Sequence, residues 1–205
     1  MNRLTFDMLP EGSLEALKPS FDHLPQTDHA DGKYRFRCYS QIDYYGRDSG
    51  TVEFTQSSEY NKHQGDVERK FEPIHDDVLS SESFKKMHGA FRRESDLFFE
   101  NIEVHQMRIF TEGETVPVSP EGVHQDGYNS VGIFGVHRHN IVGGDALVFL
   151  DQSGPPIFSR RLQAGEYVII DDENLWHSAK TIMTIDKTQP GYMDAFIFTA
   201  RRDDP

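Results

Sequence analysis

Short runs of β-branched and aromatic residues, each closed by turn residues, dominate the second half of the chain. These runs occupy residues 104–110, 131–136, 146–150, 167–170 and 195–198. Runs of this length and composition are typical of β-strands. Because no long amphipathic helix separates them, the pattern favours antiparallel pairing over alternating strands and helices. The predicted fold is therefore mainly β with flanking helices, as a jelly roll or a small cupin-like barrel.

One segment in the first half of the chain has a helical pattern. Apolar Phe84, Met87 and Phe91 recur every three or four residues, and Ser80 or Ser81 can cap the segment at its start. The pattern predicts a helix that packs on the outside of the sheet.

The other elements predicted in this half are shorter. Residues 34–39 have the composition of a further strand, and a helix over residues 13–18 is expected to end at Pro19. Residues 1–103 are therefore expected to flank a β core at residues 104–202. The chain of 205 residues is expected to form a single domain.

The charge and the cysteine content limit which partners and which cellular compartment are expected. The chain has 21 Lys and Arg against 34 Asp and Glu, a net charge of -13, which repels a phosphate backbone, so nucleic acid is not an expected partner. The single cysteine, Cys38, excludes an intramolecular disulfide and any cysteine-based zinc cluster. Neither a membrane-spanning run nor a signal peptide is evident. We therefore expect a cytoplasmic protein without membrane contact.

Three residues have the chemistry and spacing of a metal site. His124 and Asp126 are two positions apart, which in a strand places both side chains on one face. His177 follows just past the predicted strand at 167–170 and can return beside this pair in an antiparallel barrel. Two imidazoles and one carboxylate leave positions open on the metal, as in mononuclear non-haem Fe(II) oxygenases. Substrate, co-substrate and dioxygen can then meet at the iron.

A second pair of histidines offers an alternative site. His137 and His139 also share a strand face, and with His124 or His177 they would form an all-histidine site of the cupin kind. Such a protein could bind a metal without catalysing a reaction. The other histidines are expected at the surface or in packing positions: His23, His29, His63, His75, His88 and His105.

Several motifs resemble those of one enzyme family in order and spacing. They occupy residues 35–40, 54–56, 60–61, 105–108, 124–127, 143–145, 177 and 191–194. The chain resembles the bacterial 2-oxoglutarate- and iron-dependent dioxygenases that hydroxylate free aliphatic amino acids, a group that includes L-isoleucine 4-hydroxylases. The resemblance implies a double-stranded β-helix that holds Fe(II) through His124, Asp126 and His177. It also implies 2-oxoglutarate as co-substrate, and hydroxylation of a free L-amino acid or similar small molecule at an unactivated carbon by dioxygen.

Met193 departs from the family pattern. The family usually has an arginine at this position, which pairs with the distal carboxylate of 2-oxoglutarate, and methionine cannot do this. Arg108 and Arg138 are the candidates to replace it. If neither does, an iron oxygenase of the same fold with another co-substrate or outcome, such as cyclisation or desaturation, is the alternative.

Five further residues are candidates for contact with the substrate. Arg35 and Arg37 share a strand face and could bind a carboxylate, while Gln106 shares a face with the arginine two positions later. Tyr128 continues the face of the metal pair, and Trp176 adjoins His177. A solvated strand face for the arginines, or simple packing for the aromatic residues, is the competing interpretation.

Overall fold

Strands form most of the regular structure in residues 4–61, 65–95 and 101–201, the parts of the chain that the computed structural model describes. The strands are β1 Leu4–Met8, β2 Arg35–Asp43, β3 Glu53–Phe54, β4 Arg69–Lys70, β5 Asn101–Thr111, β6 Ser130–His139, β7 Ile141–Gly143, β8 Ala146–Phe149, β9 Phe158–Arg160, β10 Glu166–Asp171, β11 Trp176–Ala179, β12 Ile182–Thr184 and β13 Gly191–Ala200. The helices are a 3-10 helix at Glu15–His23, α1 Asp76–Leu79 and α2 Glu82–Ser95. No helix in these residues is long and apolar enough to cross a bilayer.

The strands form one large sheet and several small ones. The large sheet has six antiparallel strands in the order β1-β10-β6-β13-β5-β2. Smaller sheets have the orders β11-β8-β9, β12-β7 and β3-β4. The arrangement is a β-sandwich of the double-stranded β-helix type, which confirms the predicted fold class.

The helices cover one face of the large sheet. Phe84, Met87 and Phe91 on α2 are buried in one apolar cluster with Phe196 and Phe198 of β13. Burying each such side chain contributes about 2 kcal/mol relative to leaving it exposed. The other face of the sheet is thereby left to the smaller sheets and to the cavity between them.

The start of α2 agrees with the sequence pattern. The Ser81 hydroxyl accepts a hydrogen bond from the backbone N–H of Phe84 at 3.1 Å, as the predicted cap requires. The predicted helix at residues 13–18 was wrong in its extent and type, because a 3-10 helix runs through Pro19 to His23. Burial of Leu17 and Phe21 holds this segment to the sheet on both sides of the proline.

Candidate metal centre

His124, Asp126 and His177 lie close together in the folded chain. His177 lies on β11, and its backbone pairs with that of His124 through N···O hydrogen bonds of 3.0 and 2.8 Å. One potential ligand atom from each of the three residues lies within 4.8 Å of the other two. The structure therefore brings together the three residues that the sequence pattern selects.

The histidine rings turn their Nε2 atoms toward the carboxylate. His124 Nε2 lies 3.5 Å from Asp126 Oδ1, and His177 Nε2 lies 3.4 Å from Asp126 Oδ2. Nδ1 of His124 lies 3.0 Å from the carbonyl oxygen of Gly122. Because a carbonyl only accepts, this contact requires the proton on Nδ1 and leaves the Nε2 lone pair free for a metal.

The charge state of the cluster favours a bound cation. Nε2 of His177 is buried and has no hydrogen-bond partner of good geometry within the described part of the chain. Burial alone would lower the pKa of His177, but Asp126 and Asp172 raise it to about 10. Despite its burial, the two histidines hold the pKa of Asp126 well below its usual range. The carboxylates therefore need positive charge beside them, which a proton or a divalent metal ion can provide, and the donor set suits Fe(II).

Asp172 fixes the turn that presents Asp126. Its Oδ2 accepts hydrogen bonds from the backbone N–H groups of Asp126, Gly127 and Tyr128 at 2.8, 2.9 and 3.2 Å. Gly127 has φ +81, and a Cβ there would lie 2.5 Å from a ring carbon of Tyr60. Both the carboxylate and the glycine are therefore needed to form this turn.

An amide pair orients the Asp126 carboxylate. Gln56 Nε2 donates to Asp126 Oδ1 at 2.9 Å and to the Asp126 carbonyl at 3.1 Å. Asn61 donates in turn to Gln56 Oε1 at 2.8 Å. We did not predict this role for the two amides. They lie in two of the motifs that carry the family resemblance, but their spacing has no local signature of a metal site.

A cavity of about 150 Å³ opens beside the three residues. Aliphatic side chains from β5, β6 and β13 form much of its wall: Met107, Ile109, Val131, Ile133 and Ile197. Of the candidate binding residues, Arg35, Arg37, Tyr128 and Arg138 line this cavity. His105, which the sequence placed among surface or packing residues, lines it too and is buried.

Gln106 and Arg108 correct the prediction for β5, because they lie on the opposite face of the strand from His105. Gln106 donates to the hydroxyl of Ser20 at 2.8 Å. Arg108 forms a bidentate pair with Asp194 at 2.6 and 2.9 Å. Both side chains therefore face the helices, where Arg108 already has a carboxylate partner and does not contact the cavity.

Trp176 and the second histidine pair also lie away from the cavity. Trp176 precedes His177 on β11, and neighbouring side chains on a strand point to opposite faces. His137 lies 3.8 Å from Asp194, and the His139 ring stacks on Tyr192. Within the described residues, the alternative site built on these two histidines is not formed. His63 lies outside those residues.

Residues 18–199 match the model of the family described as 2OG-Fe dioxygenase. This match covers most of the chain. No curated protein matches the sequence.

Three solved structures share the fold at low sequence identity. A bsmA homolog from Methylobium petroleophilum PM1 is 23% identical, with a TM-score of 0.79 over 95% of this chain and 82% of that one. IDO from Bacillus thuringiensis is 16% identical, with a TM-score of 0.75 over 99% of this chain and 91% of that one. The Fe(II)/(alpha)ketoglutarate-dependent dioxygenase TqaL is 14% identical, with a TM-score of 0.69 over 100% and 84%. Likeness at these identities establishes the architecture alone.

Proposed function

The chain belongs to the 2OG-Fe dioxygenase family, and on that premise we propose that it hydroxylates a free L-amino acid or a similar small molecule at an unactivated carbon. The family uses Fe(II) and 2-oxoglutarate. The observation that carries the proposal is the position of the His124, Asp126 and His177 cluster in the wall of an aliphatic cavity that also contains charged side chains.

In this proposal His124, Asp126 and His177 hold the iron. The ligand set is that of mononuclear non-haem iron oxygenases, and it leaves positions for other ligands. Two contacts support it: Nε2 of His177 is buried without a hydrogen-bond partner of good geometry in the described residues, and Nδ1 of His124 lies against the carbonyl of Gly122. The fit rests on potential ligand atoms that lie within 4.8 Å of one another.

The cavity suits a small amphiphilic substrate. Its volume of about 150 Å³ cannot enclose a polymer, and its aliphatic wall matches an alkyl side chain. Arg37 lines the cavity on β2, and Glu121 lines it nearby with only a 3.8 Å contact to Arg35. A guanidinium and a carboxylate in one pocket are complementary to the two charged groups of an amino acid.

When bound, iron and 2-oxoglutarate would supply, together with dioxygen, an oxidant that can break an unactivated carbon–hydrogen bond, with succinate and carbon dioxide as coproducts. The protein's own residues position and protect that chemistry. Gln56 and Asp172 fix Asp126. The aliphatic wall, including Met107 and Ile197, excludes water from the reacting carbon.

The test is succinate formation by iron-loaded protein given 2-oxoglutarate, oxygen and a pool of free L-amino acids, with products identified by mass spectrometry. We expect succinate together with one pool member that gains one oxygen atom. A substrate that loses two hydrogens instead would indicate desaturation or ring closure. Iron-loaded protein that makes no substrate-dependent succinate would contradict the proposal.

We propose that Arg138 takes the place of the missing family arginine as anchor for 2-oxoglutarate. It lies on β6 directly opposite Met193 on β13, and both line the cavity. Its Nη2 donates to the carbonyl of Gly143 at 2.5 Å, and no carboxylate pairs with it in the described residues. The guanidinium is therefore available for a carboxylate close to the usual position of the family's arginine.

Arg138→Met is expected to weaken 2-oxoglutarate binding about 10- to 100-fold, because a charge-assisted pair of this kind contributes roughly 1.5 to 3 kcal/mol. Calorimetric titration of 2-oxoglutarate into anaerobic Fe(II)-loaded protein measures this. The more exposed Arg161, which lies 3.6 Å from Asp145, provides the control variant Arg161→Met. Adding Met193→Arg to Arg138→Met should restore binding. An unchanged affinity in Arg138→Met would refute the assignment.

A further inference from the structure

Two arginines in the cavity are buried without a carboxylate partner. Arg37 on β2 is 5% exposed and Arg69 on β4 is 2% exposed, and both line the cavity. Nε and Nη2 of Arg37 and Nε of Arg69 have no hydrogen-bond partner in the described residues. Neither side chain forms an ion pair there. Burial of a charge in this state is costly, so a ligand that supplies acceptors is the expected compensation.

Aromatic rings lie against these guanidiniums and hold them in place. The rings accept no hydrogen bond in the plane of the guanidinium. Arg37 lies over the Phe71 ring at 4.3 Å, and Arg69 lies over the Phe54 ring at 4.8 Å. His105 packs edge-on against Phe54 with ring centroids 4.8 Å apart. Burial first, and then the two arginines, lower the pKa of His105 well below its usual value. This histidine is therefore neutral and adds no competing charge.

Arg35, which also lines the cavity, differs from these two arginines because it has carboxylate partners, although its Nε has no hydrogen-bond partner in the described residues. It pairs with Asp31 at 2.8 Å, lies 3.8 Å from Glu121, and donates to the carbonyl of Val118 at 2.9 Å. Both of these carboxylates are thus at Arg35. Three guanidiniums beside these two carboxylates leave an excess of positive charge in this group, and neither Arg37 nor Arg69 forms an ion pair in the described residues.

We propose that Arg37 and Arg69 together bind a carboxylate of the organic substrate, so that the enzyme accepts free carboxylic acids and rejects the corresponding amides. This rests on the proposed function and names its substrate class. Two planar guanidiniums with free N–H groups match the oxygens of a carboxylate, whereas an amide offers one weaker acceptor.

The position of these arginines assigns them to the substrate rather than to 2-oxoglutarate. Three strand spacings separate β6, which carries Arg138, from β2, which carries Arg37. At the usual spacing this is about 14 Å. Arg138 and Arg37 therefore lie apart across the sheet, and two different carboxylates can be held at once.

The test compares acids with amides in anaerobic Fe(II)-loaded protein containing 2-oxoglutarate. The probes are L-valine, L-leucine and L-isoleucine, 3-methylbutanoate, and the primary amide of each. We expect at least one acid to raise the Tm and its amide to have no effect. Arg37→Met and Arg69→Met should each weaken acid binding about 100-fold, the loss expected for a buried charge-assisted pair. The affinity of both variants for 2-oxoglutarate should stay within about twofold of that of the parent protein. Arg47→Met, at an exposed arginine that pairs with Asp43, is the control.

A second measurement separates binding from a structural role. Without any ligand, Arg37→Met should unfold at the same or a higher temperature than the parent protein, because it removes a buried charge that lacks a partner. Three results would overturn the inference: no Tm rise with any acid, equal rises with acids and amides, or Arg37→Met and Arg69→Met variants that lose 2-oxoglutarate binding and keep acid binding. Acid-specific binding without succinate formation would contradict the proposed function but would still support the carboxylate site.

Discussion

Asp126→Ala is expected to lower succinate formation by on the order of 1000-fold or more while the chain stays folded. Asp126 contributes the carboxylate that both His124 and His177 approach, at 3.5 and 3.4 Å. Two imidazoles alone hold Fe(II) weakly and leave its charge uncompensated. The fold should survive because the turn is held through the backbone N–H of residue 126, which the variant keeps. Succinate rates measure activity, Fe(II) titration measures metal binding, and circular dichroism measures whether the chain is folded.

Two control variants make the Asp126 result specific. Asp151→Ala removes an exposed carboxylate that caps its own turn through Ser153, and should leave turnover unchanged. His139→Ala removes a member of the alternative histidine pair and should also leave iron binding intact. If Asp126→Ala still binds iron with the affinity of the parent protein, the assignment of this ligand is wrong.

Asp172→Ala is expected to lower the free energy of unfolding by about 3 kcal/mol or more, because three backbone N–H groups lose their common acceptor. Asp172 is 1% exposed, so water cannot readily replace it. The loosened turn should also weaken metal binding about 10- to 100-fold, as removal of a supporting hydrogen-bond partner does in other metal sites. Denaturant unfolding and metal titration test both effects.

Variants at and beside this position show whether the acceptor is the cause. Asp172→Asn keeps one oxygen acceptor in the same place and should lose less stability than Asp172→Ala. Asp171→Ala removes the neighbouring carboxylate, which accepts from Asn174 at 2.9 and 3.0 Å. It should change stability by less than about 1 kcal/mol. Equal losses in Asp171→Ala and Asp172→Ala would show that the turn does not depend on Asp172.

The strands and the main helix could be predicted because each depends on local pattern, and the metal triad because the spacing and the family resemblance agree on it. Phe84, Met87 and Phe91 repeat at helical spacing, and the helix they predict is α2. His124 and Asp126 are close in sequence, so a single turn presents both. His177 is a longer inference, which the antiparallel pairing of its backbone with His124 satisfies.

The inward face of β5 could not be predicted in this way. Nearly every residue of this strand is buried, because helices cover one face and the cavity walls cover the other. A strand that is covered on both sides has no alternation of apolar and polar residues to mark its inward face. Gln106 and Arg108 were therefore assigned to the wrong side, and His105 was missed.

Residues that act from distant short elements were also beyond prediction. Arg69 lies on a strand of two residues, and Gln56 reaches an aspartate 70 positions later in the chain. Neither has a periodic pattern that predicts its place. Only the folded arrangement brings them to the cavity.

Gln56 closely follows β3, and Arg69 lies on β4, the strand that pairs with β3. Gln56 bonds to Asp126 beside the metal position, and Arg69 lines the cavity at the carboxylate end. Iron held through Asp126, which Gln56 contacts, and an acid bound at Arg69 would both restrain this strand pair, and two ligands that restrain one element have a reciprocal coupling free energy. The factor by which bound iron raises the affinity for the acid is the factor by which the bound acid raises the affinity for iron. The enzyme should therefore lose its metal most readily when it has no substrate.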